Sequence, residues 1–353
     1  MVKITFLGAG STIFAKNVLG DCILSPDLGE LYISLYDIDP IRLDDSRRML
    51  ENINKKYNGK ATIHATLDKV EALKDAMFVV NAIQVGGYDP CTITDFEIPK
   101  KYKLRQTIAD TLGIGGIFRA LRTIPVLEDL TSVMKKVCPN ALFINYTNPM
   151  AILTGYLQRY LWPNTVGLCH SVQCCVEGLF KSIGMDDLIN KCKWEIAGIN
   201  HQAWLLKITD LNDADLYPEI KRRSLSNEYK DKMNWDLVRH DMMHRFGYYI
   251  TESSEHTSEY TPWYIKDRYP ELISKYNIPL DEYPRRCIKQ IKEWNEMKEK
   301  LVSSDIEHVK SREFAAGIIN AVVNDVPYKM HGNVLNKGLI TNLPYDACVE
   351  VAC

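Results

Sequence analysis

The chain has 353 residues, 46% of them hydrophobic, which suits one large or two medium domains with a full core. Its 43 Lys and Arg nearly cancel 45 Asp and Glu, so a net charge of −2 provides no general field for phosphate backbones or anionic membranes. Nucleic acid is not an expected partner, and no run is apolar and long enough to span a bilayer. The N-terminus enters a strand pattern without a basic region and a long apolar segment, so no secretory signal is expected. Ten cysteines in such a chain read as thiols of the reducing cytoplasm rather than a disulfide framework.

In chain order, Val2–Leu7 is an apolar run that ends at Gly8, Gly10 and Ser11, and Leu31–Tyr36 is a second that ends at Asp37. Both read as buried parallel strands. Residues 12–24 form a helix between them, and residues 40–57 form the next, with Asp39 as N-cap. The alternation continues through ATIHAT, DKVEAL, MFVVNAI, a helix near 116–137 and the strand ALFINYT. After Asn148 and Pro149 come a helix to about residue 160, a last strand TVGLCH and a helix over 172–183. KWEIAGIN and AWLLKIT then alternate like antiparallel strands, and a helix is expected over 285–301. The expected fold class is α/β: a Rossmann-like, doubly wound sheet in residues 1–150, with a second α+β domain in 151–353, the layout of lactate and malate dehydrogenases. The absence of repeats and low-complexity linkers predicts tight packing of the second domain on the first.

The turn from Gly8 to Ser11 follows a strand and opens a helix at Thr12, so backbone N–H groups there can approach a pyrophosphate. The third glycine of the dinucleotide fingerprint is absent, with Ile13 in its place. Asp37 is placed to accept from ribose hydroxyls and to disfavour a 2′-phosphate, which favours NAD over NADP. The alternative is that the glycines merely close a tight turn. Asn81, with Gly86 and Gly87, offers a second place for close cofactor approach, or an ordinary strand-ending turn.

Cys169 and His201 end or connect probable strands, and a thiolate with an imidazole could bind a metal that keeps open positions for substrate oxygens. Each taken alone is more commonly a core residue. Asn145 and Asn148 flank a turn where an amide could meet sugar hydroxyls, or serve as helix punctuation. Asp110 precedes a glycine-rich turn, as a group that orients a ligand or as a helix cap. Residues 251–265 bring together Glu252, Glu255, His256, Glu259 and Tyr260, an unusual density of proton-transferring groups. Arg285 and Arg286 offer one cation for an anion or substrate hydroxyl. Trp204, Trp263 and Tyr88 suit either a sugar face or the core.

These pieces, KITFLGAGSTIFAKNVLGD, FVVNAIQVGGY, QTIADTLGIGGIFRALRTIP, NYTNPM, VGLCHSVQ, AGINH and TESSEHTSEYTPWYIK, resemble glycoside hydrolase family 4 in order and along the whole chain. The resemblance implies a hydrolase of α-galactosides such as melibiose that uses NAD⁺ as a self-regenerating cofactor and a divalent metal, commonly Mn²⁺. It implies oxidation at C3, loss of the C2 proton, elimination, water addition and re-reduction. Carried onto this chain, Cys169 and His201 match metal ligands, Tyr260 the base, His170 the proton donor and Asn148 a substrate-binding asparagine. Some relatives have an acid such as aspartate where His170 stands. An arginine of one relative aligns with Thr94, so Arg285 or Arg286 is expected to replace it. Asp110 joins the expected catalytic set, and Gly8, Gly10, Ser11, Thr12, Asp37, Asn81 and Gly86 the cofactor set.

The rival from another class is an NAD-dependent 2-hydroxy-acid dehydrogenase, whose His and Asp-x-x-Arg pairing is not found. Within the family, α-glucosides and α-galacturonides are the alternative substrates. A homodimer or homotetramer is expected. Family members continue beyond the position of Cys353, so a shortened C-terminal part is expected as well.

Overall fold

The computed structural model describes residues 1–303 and 306–353. The chain opens with β1 (Val2–Leu7), α1 (Thr12–Ile23), β2 (Leu31–Tyr36), α2 (Pro40–Lys56), β3 (Ala61–Thr66), α3 (Lys69–Leu73) and β4 (Phe78–Asn81). It continues with α4 (Ile93–Lys101), α5 (Gly113–Val137), β5 (Leu142–Asn145), α6 (Met150–Tyr156), β6 (Thr165–Gly167) and α7 (Ser171–Ser182). Then come β7 (Cys192–Ile199), β8 (Gln202–Asp210), α8 (Tyr217–Ser224), α9 (Lys230–Met233), α10 (Leu237–Phe246), β9 (Tyr249–Ile250) and α11 (Ser254–Tyr260). The described chain closes with α12 (Glu271–Lys275), α13 (Glu282–Leu301), α14 (Ala315–Asn324), β10 (His331–Leu335) and β11 (Cys348–Ala352).

Two compact units interleave along the sequence: Met1–Val85, Leu121–Leu168 and Ile288–Met330 form one, and Gly86–Ala120, Cys169–Cys287 and His331–Cys353 the other. The expected single cut at residue 150 partitions the chain differently. Two of the observed division points fall inside α5 and α13, where a continuous helical pattern carries no boundary signal.

In the first unit the strands run parallel in the order β3-β2-β1-β4-β5-β6. Chain order reverses between β1 and β4, which makes the carboxyl ends of these two strands a topological switch point, the place where open α/β sheets bind ligands. Ile4, Phe6, Ile33, Leu35, Val79, Val80, Phe143 and Ile144 are wholly buried. This explains why the strands are continuous apolar runs rather than alternating ones. Asp39 caps α2 as expected, accepting from the N–H groups of Ile41 (2.9 Å) and Arg42 (3.2 Å).

The second unit has an antiparallel sheet in the order β10-β11-β7-β8-β9. The β7–β8 hairpin turns at Asn200 and His201, between the paired residues Ile199 and Gln202, and His201 adopts φ +65°. Leu179 and Phe180 of α7 pack with Leu205 and Ile208 of β8 and with Tyr249 of β9 in one buried cluster.

Several expected boundaries shift. β6 ends at Gly167, so Cys169 lies in the loop before α7 rather than on a strand. The helix after Pro149 stops at Tyr156 and widens into a π-turn, Leu157–Leu161. A wide turn, Gly87–Thr92, and α4 were not expected, because Pro90 and Pro99 within them read as breakers. None of the ten cysteines is in a disulfide, five of them are buried, and no helix among the described residues is long and apolar enough to cross a membrane.

Candidate active site

At the switch point of the first unit, Gly8 and Ala9 donate their N–H groups to the carbonyl of Tyr36, both at 3.0 Å, which ties the turn after β1 to the end of β2. Gly8 has φ +84°, and a Cβ there would stand 2.7 Å from the carbonyl oxygen of Ala82. Gly10 donates to Asp37 Oδ2 at 2.6 Å, and a Cβ on Gly10 would stand 2.8 Å from that oxygen. Close approach of the protein to itself therefore disfavours a side chain at both positions, against backbone at Gly8 and against the end of a side chain at Gly10. Ser11 makes no side-chain cap on α1, which opens at Thr12 directly after the turn. Thr12 is buried and receives a hydrogen bond from Ser46 Oγ (3.0 Å). Ile13, in the place of the third glycine, is about half exposed.

Asn81 is wholly buried, and its amide donates to Asn145 Oδ1 (2.9 Å) and Thr147 Oγ1 (3.2 Å), bracing the ends of β4 and β5. Asn148 is half-buried in the turn before α6. The glycine-rich turn, Asp37, Asn81 and Asn148 thus belong to this unit, and the remaining expected residues belong to the other.

In the second unit, strand pairing assembles a cluster of titratable groups. The β7–β8 turn presents His201. Pairing of Trp204 with Ile250 sets β9 beside β8, and the Thr251 N–H donates to the Ala203 carbonyl at 2.9 Å, so Glu252 emerges next to that turn. Arg239 Nη1 donates to the Thr251 carbonyl at 3.2 Å, holding the segment from α10. His201 Nε2 lies 3.2 Å from Cys169 Sγ and 3.3 Å from Glu252 Oε2, and the three ligand-type atoms gather within 4.8 Å of one another. On the other side of the ring, His201 Nδ1 lies 3.3 Å from the Tyr260 hydroxyl, which donates to Asp110 Oδ1 at 3.4 Å. His256 completes the cluster, 2.7 Å from Ser253 Oγ through Nδ1 and 3.9 Å from Asp110 Oδ1 through Nε2.

The electrostatics fit a cation. Burial opposes a charged imidazole at His201, yet the Cys169 and Glu252 charges push its pKa up to about 10. Burial would raise the Glu252 carboxyl, but His256 and His201 bring it down to about 2. Asp110 is likewise held below the usual carboxylate range, its burial outweighed by His256, Arg119 and His201. A thiol sulfur, an imidazole nitrogen and a carboxylate oxygen converging this closely form a donor set suited to a divalent transition metal, with positions left for substrate oxygens. The phenol of Tyr260 is pushed well above its ordinary value by burial and by the Asp110 and Glu259 charges.

The other expected residues lie elsewhere in this unit. His170 follows Cys169, exposed at the start of α7. Gly86, at φ +83°, opens the wide turn before α4. Arg285 is exposed and bonded to Glu282 Oε2 and the Leu280 carbonyl, both at 2.7 Å. Arg286 binds Glu282 at 3.0 Å and pairs with Glu255 of α11, whereas Arg285 does not reach that helix. Thr94 bonds the Pro90 carbonyl at 2.8 Å. The structure adds two residues to the expected set: Glu252, which had been read only as part of a dense loop, and Arg119, whose charge bears on Asp110 and which bonds Tyr283. Arg119 stands in the quoted stretch after IADT, but spacing alone does not distinguish it from a helix-surface arginine.

Comparison with known proteins places the chain in a family. Residues 3–185 match the model of the Family 4 glycosyl hydrolase, and residues 196–353 match that of its C-terminal domain. An alpha-galactosidase of Bacillus subtilis (strain 168) is 56% identical over 354 residues, an alignment covering 100% of this chain and 81% of the relative. A putative glucosidase, lplD, from Bacillus subtilis superposes with a TM-score of 0.85 at 24% identity, covering 100% of this chain and 83% of the other. A 6-phospho-alpha-glucosidase from gut microorganisms, in complex with NAD and Mn2+, superposes with a TM-score of 0.74 at 20% identity, covering 100% and 81%.

Proposed function

Because the chain is a family 4 glycosyl hydrolase, we propose that it hydrolyses α-galactosides such as melibiose, with NAD⁺ and a divalent ion such as Mn²⁺ as cofactors. The observation that carries this reading is the convergence of Cys169 Sγ, His201 Nε2 and Glu252 Oε2 beside the Tyr260 hydroxyl, in a chain 56% identical to an alpha-galactosidase.

When bound, NAD⁺ supplies a reversible hydride acceptor for the sugar's C3 and the divalent ion a Lewis acid for its oxygens, so that oxidation, elimination, water addition and re-reduction leave no net redox change. The chain's residues do the rest. Gly8, Gly10, Ser11 and Thr12 form the pyrophosphate turn, Asp37 takes the ribose, and Asn81 and Gly86 shape the surrounding backbone. Cys169 and His201 hold the ion, joined by Glu252. Tyr260 removes the C2 proton, with its hydroxyl held between His201 and Asp110. His170 delivers a proton to the departing oxygen, and Asn148 with Arg286 or Arg285 binds the sugar. In domain terms, the unit that carries Gly8–Thr12 and Asp37 binds the dinucleotide, and the unit that carries Cys169, His201 and Glu252 binds the metal. Ten cysteines without a disulfide suit a cytoplasmic protein, and the reading includes a homodimer or homotetramer.

The test is release of 4-nitrophenol from 4-nitrophenyl α-galactoside with NAD⁺, Mn²⁺ and a thiol reductant, each additive then being withdrawn in turn. Release that stops without NAD⁺ or Mn²⁺ while no NADH accumulates is the expected result. Steady NADH formation from a hydroxy acid, without glycoside cleavage, would replace this reading with the dehydrogenase.

A further inference from the structure

Glu259 immediately precedes Tyr260 on α11, and its carboxylate is spent on backbone. Oε2 accepts from the N–H groups of Thr107 (2.7 Å) and Ile108 (3.2 Å), and Oε1 from that of Ala109 (2.8 Å). Three consecutive N–H groups aimed at one anion form a nest, a concavity of the kind that binds phosphate elsewhere, here filled by the protein's own carboxylate. Ala109 adopts φ +57°, a left-handed conformation that an L-residue with a side chain keeps only where its surroundings impose it. Burial pushes the Glu259 carboxyl up to about 7 even though the three N–H groups pull it down.

The chain neighbours of the two clamped residues are the ones that matter chemically. Asp110 follows Ala109, Tyr260 follows Glu259, and the Tyr260 hydroxyl meets Asp110 Oδ1 at 3.4 Å, near the outer limit of a hydrogen bond. A second tie crosses the same joint, from Thr107 Oγ1 to the Glu255 carbonyl on α11 at 2.6 Å. From the other side Gln106 holds the turn, donating to the Asp95 carbonyl (2.8 Å) and accepting from the Gly115 N–H (3.1 Å). The turn is thereby fixed to α11 one residue away from the contact that orients the phenol.

We propose that Glu259 is a positioning residue: by clamping the backbone of residues 107–109 to α11, it sets Asp110 against Tyr260 and fixes the direction from which the phenol takes the sugar's C2 proton. The inference rests on the reading of Tyr260 as the base.

The test is Glu259→Gln, which keeps the shape but turns an NH2 group toward at least one backbone N–H. The expected result is faster hydrogen–deuterium exchange at the amides of residues 107–109 with NAD⁺ affinity unchanged. Alongside it, kcat falls on the order of a hundredfold, as for a reacting group displaced by about 1 Å, with KM little changed and a larger C2-deuterium isotope effect on kcat. A general loss of fold would lower the active fraction without raising that isotope effect. Retained amide protection, or lost protection with unchanged kcat and isotope effect, overturns the proposal. If Glu259→Gln does not fold, Thr107→Val loosens the same joint by one bond and must still raise the isotope effect; no change there overturns the proposal equally. Failure of the unmodified chain to exchange the C2 hydrogen would count against Tyr260 as base, whereas the amide-exchange result judges the clamp itself.

Discussion

His201 Nδ1 lies 3.3 Å from the Tyr260 hydroxyl, with the two rings tilted by only 14° and their centroids 6.2 Å apart. The contact places a donor beside an oxygen that must carry negative charge to act as a base. Burial and the Asp110 and Glu259 carboxylates hold the phenol protonated, against a hydrogen bond with Thr111 that favours the anion. Tyr260→Phe keeps the ring and its packing but deletes the oxygen. We expect kcat to fall by about 10²–10⁴, the usual worth of a positioned acid or base, with NAD⁺ affinity intact. Exchange of the C2 hydrogen with solvent, followed by NMR, should disappear in the variant; exchange at the unmodified rate would remove Tyr260 from the role.

In the proposed metal site Cys169 is the soft donor, beside His201 and Glu252. Serine in its place offers a hydroxyl that stays protonated near neutrality, so Cys169→Ser should lose bound Mn²⁺ on gel filtration and lose activity in parallel, with partial recovery at high Mn²⁺. Chelator treatment of the unmodified chain should abolish activity reversibly. Metal content measured beside rate decides the matter, because loss of rate at full metal occupancy would mean that the thiol does something other than ligate.

Gly8 and Gly10 are expected to respond differently to an added methyl group. At Gly8 the obstacle is backbone, 2.7 Å away at the Ala82 carbonyl, and φ is +84°. Gly8→Ala should therefore destabilise the fold by about 1–3 kcal/mol. At Gly10 the nearest obstacle is the end of the Asp37 side chain, 2.8 Å away, which can swing aside, with Arg42 Cβ in tight but milder contact at 3.2 Å. Gly10→Ala should fold nearly normally while binding NAD⁺ more weakly, because the carboxylate that gives way is the one read as the ribose acceptor. Urea unfolding paired with NAD⁺ titration separates the two, and equal loss of stability in both variants would contradict the argument.

The first unit was legible because its strands are uniform apolar runs ending in glycine or aspartate, a pattern set by burial on both faces. The motifs around Cys169, His201 and Tyr260 singled out three side chains that the structure brings into contact. Glu252 was not, since its place beside His201 depends on β9, a strand of two residues with no periodicity to read. The wide turn and α4 were hidden by prolines that interrupt the helical pattern without ending it. The interleaving of the units was hidden because residues 86–120 leave the first part of the chain for the second unit and residues 288–330 return to the first, with two of the crossings inside the continuous helices α5 and α13.

A last expectation concerns acid stability and lies away from the chemistry. Asp21 on α1 is buried, and its carboxylate accepts from His308 Nε2 (2.7 Å), the Ser311 N–H (2.9 Å) and Ser311 Oγ (2.5 Å). Burial alone would raise its pKa, but the bonds from His308 and Ser311 prevail and hold it below the ordinary value. A carboxyl depressed in the folded state contributes stability that is fully present above its unfolded pKa of about 3.9 and is lost as pH falls through the folded value. The unmodified chain should therefore lose stability below about pH 4, partly through this group. Asp21→Asn removes the charge and should cost about 1.5–3 kcal/mol near pH 7, the usual worth of a hydrogen bond to a charged group, while flattening the acid limb of the stability curve. Urea unfolding of both chains at pH 7, 5 and 3 measures this directly: the gap between them should narrow as the pH falls, and a gap constant across that range would show that the tie between α1 and residues 308–311 does not depend on charge.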